Sequence, residues 1–237
     1  MKSIVAVFVM ILTGLGTYVS NAALVTFDFA GTSPGLNSPW NTGTVIDPNA
    51  STTGFSLGGG INGASANNRF NANSWSTGTT VAGALADEAY FGFVLTVGSG
   101  YIANLDGASV DFSLQTSWTG AVGNGPKNYA LFSSIDGFAS GSELMNDTVA
   151  GTSPILTYTF NATSFDNLTG DIEFRVYGWN AVTGAGTMSA NTFAVDGEIL
   201  LAPVPEPAEW GLIAAVGLLG ICGQHAWRMR RRTASQS

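Results

Sequence analysis

DIEFRVYGW, residues 171–179, alternates between two faces. Ile172, Phe174 and Val176 fall on one side, and Glu173, Arg175, Tyr177 and Trp179 on the other. A period of two marks a strand whose apolar face is buried while the opposite face meets something polar. The pattern recurs along the chain. In SVDFSLQ, residues 109–115, Val110, Phe112 and Leu114 oppose Ser109, Asp111, Ser113 and Gln115. VTFDFA sets Val25, Phe27 and Phe29 against Thr26 and Asp28, and TFAVDGEIL sets Phe193, Val195 and Ile199 against Asp196 and Glu198. YFGFVLTV (90–97) and ILTYTFNA (155–162) are apolar or aromatic on both faces, which predicts more deeply buried strands. Half-buried strands need a second layer, so residues 23–202 are expected to form two packed antiparallel sheets, an all-β, jelly-roll-like sandwich.

No stretch of this body carries a convincing 3.6-residue apolar stripe. Residues 31–87 are poor in charge and rich in Gly, Asn, Ser and Thr, which predicts short strands and long loops. Asp136-Gly137 supplies a turn.

Charge and cysteine usage narrow the function. Between residues 23 and 203 the bases are Arg69, Lys127 and Arg175, set against fourteen Asp and Glu, a net of −11. Such a body is repelled by phosphate backbones, so nucleic acid is excluded as a partner. The sole cysteine, Cys222, and the sole histidine, His225, both lie beyond the body. The body therefore has no disulfide, no thiolate or imidazole zinc site and no Ser-His-Asp or Cys-His nucleophile.

The two ends describe transport. Met1 and Lys2 precede an apolar run from Ile4 to Leu15, and Ser20 and Ala22 stand three and one before a cut. Residues 1–22 read as a signal peptide cleaved after Ala22, or second after Ala23, with an uncleaved anchor as the alternative. At the other end Val204-Pro205-Glu206-Pro207 opens an apolar segment bounded by Trp210 and Trp227. A helix from 207 to 227 would be about 31 Å long, enough for a hydrocarbon core of roughly 30 Å. Arg228, Arg230, Arg231 and Arg232 follow, and by the positive-inside rule they stay in the cytoplasm, leaving the body outside.

This tail, residues 203–232 ahead of a short end at 233–237, resembles the PEP-CTERM sorting signal of Gram-negative bacteria. The resemblance implies an inner-membrane-tethered precursor whose partner is an exosortase. That enzyme would recognise Val204, Pro205, Glu206 and Pro207, with the helix and arginines as a positioning stop, and send the body to the cell surface or extracellular matrix. Glu209 departs from the pattern, since a small polar residue is commoner there. An ordinary tail anchor with a proline hinge is the alternative. The body segments FNANSWS, YFGFVLT, NYALFSSIDGF, DIEFRVYGW and FAVDGEILL are similar to β-sandwich bodies joined to such tails. That second likeness implies a fold and a cellular context but no reaction.

Three candidate sites follow. Jelly-roll modules of this kind often hold a structural calcium where first and last strands meet, which nominates Asp28 and Asp196 as its oxygen ligands. Arg175, Tyr177 and Trp179, outward beside Glu173, suit stacking and hydrogen bonding to a glycan; Trp75 and Trp118 are open to the same reading. Glu88, Glu143, Glu173 and Glu198 are available for glycoside hydrolysis, which needs two facing carboxyls, but no pair sits in a recognisable motif. The expected role is that of a non-enzymatic cell-surface or exopolysaccharide-matrix protein with a structural or binding function. A carbohydrate-binding or adhesion module is the alternative, and a secreted glycan-active enzyme ranks third. Replacing Pro205, Glu206 and Pro207 by alanine is expected to hold the chain at full mass in the inner membrane, whereas the native chain loses its tail near the motif. Intact-mass measurement of membrane and external fractions distinguishes the two.

Overall fold

The computed structural model describes residues 22–116, 123–149 and 154–203. The expected signal peptide (but for its last residue), Trp118, the sorting motif at 204–207, the helix at 207–227 and the arginines at 228–232 all lie outside the described residues.

The body is all-β. In chain order its strands are β1 (Ala22–Asp28), β2 (Val45–Ile46), β3 (Ala50–Thr52), β4 (Ser56–Leu57), β5 (Asn62–Gly63), β6 (Phe70–Asn73), β7 (Tyr90–Val97), β8 (Tyr101–Asn104), β9 (Ser109–Thr116), β10 (Asn128–Ser133), β11 (Met145–Thr148), β12 (Ile155–Thr159), β13 (Asp171–Trp179) and β14 (Met188–Leu201). An eight-stranded sheet runs β12-β9-β14-β1-β2, with β6 and β8 also on β14 and β5 on β6. A six-stranded sheet runs β11-β10-β13-β7-β3, with β4 also on β7. Both are antiparallel sheets whose apolar faces form one core. The alternation read from sequence fills that core. Val110, Phe112 and Leu114 are buried in one sheet, and Ile172, Phe174 and Val176 in the other.

Between the sheets the core is aromatic. Phe55, just before β4, has its ring centroid 5.3 Å from Phe27, 4.9 Å from Phe29, 5.0 Å from Phe70 and 5.4 Å from Phe193. Phe91 and Phe93 of β7 complete the shell at 5.9 and 6.2 Å. Phe55 thus joins rings from both sheets, although it stands in the Gly- and Asn-rich region that periodicity leaves as loops. Its neighbour across the chain is Trp40, whose backbone exchanges hydrogen bonds with that of Phe55 at 2.8 and 3.0 Å.

Two expectations change. The β12 strand is not buried on both faces: it is an edge strand with Ile155 exposed and Leu156 and Tyr158 half-buried. Apolar content alone does not reveal which strands lack a neighbour. A helix also occurs where none was read, α1 (Val81–Ala86), capped by Thr80, whose Oγ1 accepts from the Gly83 N–H. At six residues it is too short to show a 3.6-residue period.

Truncating Phe55 to alanine removes the ring common to both layers. The expected loss is about 3–5 kcal/mol, read as a lower urea midpoint with an unchanged slope.

Candidate functional site

A polar concavity lies on the outer face of the eight-stranded sheet, where β6, β14 and β9 run side by side. Inward residues Phe70, Ala190 and Leu114 stand in register across these strands, all buried. Alternation therefore turns the adjoining residues outward. Asn71 and Gln115 flank Ser189, each its direct cross-strand partner. Arg69, one residue before β6, joins the same face and donates from Nη1 to Gln115 Oε1 at 3.1 Å. Ser189 donates its hydroxyl to Asn71 Oδ1 at 2.8 Å. Both Asn71 and Ser189 are more than nine-tenths buried, at 6% and 4% exposure, so this floor is fixed in place.

Neighbouring loops make walls. Ala64, Ser65 and Ala66 stand on one side and Thr116 and Thr187 on the other, enclosing a cleft of about 410 Å³. Gly35 is needed for this packing. A side chain there would collide with the Asn71 backbone carbonyl, so only glycine lets the 34–37 turn lie against β6. On the opposite wall Gly125 plays the same part beneath Thr116 and the Thr187 carbonyl.

The chemistry of the lining is narrow: one guanidinium, two amides and several hydroxyls. Such groups donate and accept hydrogen bonds but hold their protonation state near neutral pH. They suit recognition of a polar ligand and supply neither a general base nor a nucleophile activated by one. Arg69 makes no ion pair among the described residues, although acids outnumber bases by fourteen to three in the body.

The outward set on β13 is arranged differently from the expectation. Tyr177 and Trp179 do point away from the main core, but they are buried, at 2% and 5% exposure, in a second apolar cluster with Ala84, Ala130 and Phe132. The unforeseen α1 helix covers them. As they stand, neither ring offers a face to a sugar. Arg175 is bound by Glu173 through two hydrogen bonds of 2.7 and 3.0 Å, and it donates to the Tyr177 hydroxyl at 3.1 Å. Its guanidinium carbon lies 4.4 Å from the Tyr90 ring centroid and 4.0 Å from that of Phe138. Burial opposes its charge, but the bonds to Glu173 and Tyr177 outweigh that and hold its pKa above the ordinary value. This is a cation clasped on its edges and faces.

The calcium pair is separated by strand register. Asp28 stands opposite Thr192, whereas Asp196 stands opposite Ala23 near the other end of β1. At about 3.3 Å per residue the two are roughly 15 Å apart, too far to share one ion. Asp28 accepts from the Ala30 N–H at 2.8 Å, and Asp196 from the Ser109 hydroxyl at 2.9 Å. The glutamates are equally dispersed: Glu173 pairs with Arg175, Glu143 accepts from the Gly141 N–H, and Glu198 accepts from Asn104. Trp75 is buried, its indole N–H donating to the Ala72 carbonyl at 2.9 Å.

Sequence reasoning named Arg69 as a scarce base and Gln115 as outward, but did not bring them together. One signal was present: Arg69 is the lone base of the charge-poor 31–87 stretch. The pairing of β6 beside β14 has no local signature.

No family model matches the chain, and no curated protein matches it. Among solved structures it is similar to the xylan-binding module CBM15, at 14% identity over 48% of this chain and 73% of that one, with a TM-score of 0.30. It is also similar to TmCBM61 in complex with beta-1,4-galactotriose, at 13% identity over 74% and 99%, with a TM-score of 0.27. A Stig cyclase, Fisc from Fischerella sp. TAU, aligns at 14% identity over 75% and 100%, with a TM-score of 0.31. At these scores the likeness carries no argument about function.

The clasp around Arg175 has a pH signature. Burial, more than any other cause, raises the pKa values of Tyr90 and Tyr177 above the ordinary 10.0. An acid whose folded pKa is raised stabilises the fold fully below its unfolded pKa and loses that contribution as pH climbs through the folded value. Urea stability is therefore expected to fall as pH rises past 10.0, with tyrosinate absorbance appearing later than in the unfolded chain.

Proposed function

We propose that this chain is an exported, non-catalytic glycan-binding protein of the bacterial cell surface or exopolysaccharide matrix. Its body is a jelly-roll-like sandwich, delivered by a cleaved signal peptide and a PEP-CTERM-like tail that an exosortase processes. The observation that carries the binding role is the cleft built by Arg69, Asn71, Gln115 and Ser189. Its buried polar floor is pre-ordered, its volume falls within the range of small-ligand sites, and its lining matches the hydroxyls and ring oxygens of a sugar. Pre-ordering matters because side chains already held by one another lose little freedom on binding.

The reading of a flat aromatic platform is set aside in favour of this polar cleft, and with it the role of Tyr177 and Trp179 passes from ligand contact to support of β13. Binding through amides and hydroxyls with few stacking rings implies a modest affinity for one site. A matrix component gains its grip through many copies on one polymer. Delivery outside the cell, where glycans are abundant, rests on the two ends of the chain.

On a glycan array the purified protein is expected to bind a limited set of glycans, and Gln115→Ala to weaken that binding about tenfold, the worth of one or two hydrogen bonds. The circular dichroism spectrum of the variant should match that of the native chain. A blank array, or full binding by the variant, removes the proposal.

A further inference from the structure

The cleft's hydrogen-bonding capacity is unbalanced, and the imbalance names its ligand more closely. A guanidinium only donates, so the Arg69 bond fixes Gln115 with Oε1 toward Arg69 and leaves its NH₂ as the free end. Asn71 Oδ1 is likewise occupied by the Ser189 hydroxyl, leaving Nδ2 with no acceptor among the described residues. Each amide oxygen thus already accepts one hydrogen bond within the floor. Arg69 spends one N–H on Gln115 and keeps the rest of its fork. What the cleft offers is an excess of N–H donors and one uncompensated positive charge.

The lining hydroxyls can meet the hydroxyls of a neutral sugar, but the surplus of N–H donors around Arg69 calls for a group that only accepts. A planar carboxylate accepts up to four hydrogen bonds and fits the guanidinium fork in two parallel contacts. We infer that the cleft recognises an acidic sugar, a uronic acid residue whose carboxylate lies between Arg69, Gln115 and Asn71. The inference rests on the glycan-binding reading and narrows it. It also accounts for Arg69 standing apart from the fourteen carboxylates of its own body: an internal ion pair would occupy the position the ligand needs.

The body's net charge limits the polymer. A surface carrying −11 repels a densely charged chain, and at physiological salt that repulsion is screened beyond about 8 Å. One carboxylate seated on Arg69 is favoured locally, while further carboxylates along the same strand find no second base in the lining and face the body's net negative charge. The fitting glycan carries uronic acids spaced among neutral sugars.

The test uses the full-length chain in mild detergent and isothermal titration with three probes: a short neutral oligosaccharide carrying one uronic acid residue, the same oligosaccharide with that carboxyl reduced to an alcohol, and the neutral oligosaccharide carrying one sulfate instead. The singly acidic oligosaccharide is expected to bind at least tenfold more tightly than the reduced form and more tightly than the sulfated one. Arg69→Gln should abolish that preference and Arg69→Lys should retain part of it. Lys127→Gln, which removes the same charge from an exposed site outside the cleft, should leave it intact. Thermal melts confirm that each variant is folded. Equal binding of the acid and its reduced form, or no effect of Arg69→Gln, overturns the acidic-sugar inference alone. Tighter binding of the sulfated oligomer overturns the choice of carboxylate. No binding by any of these probes, together with a blank array, overturns the glycan reading as well.

Discussion

One ring ties the two sheets together. Phe55 touches Phe27, Phe29, Phe70 and Phe193 from the eight-stranded side and Phe91 and Phe93 from the six-stranded side. A body without disulfides or metal-binding imidazoles depends on such contacts, each aromatic pair adding about 0.5–1.5 kcal/mol beyond simple burial. The cleft depends on the same layer at one remove. Phe70 is packed edge-on against Phe55 at an interplanar angle of 89°, and it is the residue between Arg69 and Asn71. Anchoring Phe70 inward leaves its two neighbours no choice but to face out.

The outer surfaces of the two sheets then diverge in use. On the six-stranded side, the outward aromatics of β13 are roofed by α1 and the Arg175 clasp fills the adjoining space. That arrangement makes a second small core on what would otherwise be a wet face. On the eight-stranded side no α-helix among the described residues covers β6, β14 and β9, and the outward residues are a guanidinium, amides and hydroxyls bonded to one another. One outer face is packed and the other is left open and polar.

Much of this was legible in the sequence, for a physical reason. Strands β1, β9, β13 and β14 alternate over much of their length because one face meets the core and the other does not, and that difference is written residue by residue. What was not legible depends on partners distant in the chain. Tyr177 and Trp179 read as outward, and they are, but a six-residue helix nearly a hundred positions earlier covers them. Asp28 and Asp196 sit on adjacent strands, yet only the antiparallel register shows that they stand near opposite ends of β1. The cleft joins residues 69, 71, 115 and 189, of which only Arg69 stands out within its own segment.

Strand β14 pairs with β1, β6, β8 and β9, and it is the last strand of the body. The six-stranded sheet needs nothing beyond residue 179. In a chain that emerges amino-terminus first, that sheet has all its strands available early. The other stays split into separate pieces until residues 188–201 arrive as the wedge between β9 and β1. The cleft is thus the last feature to be completed: until the final strand is threaded, Asn71 and Gln115 have no Ser189 between them and the cleft has no floor.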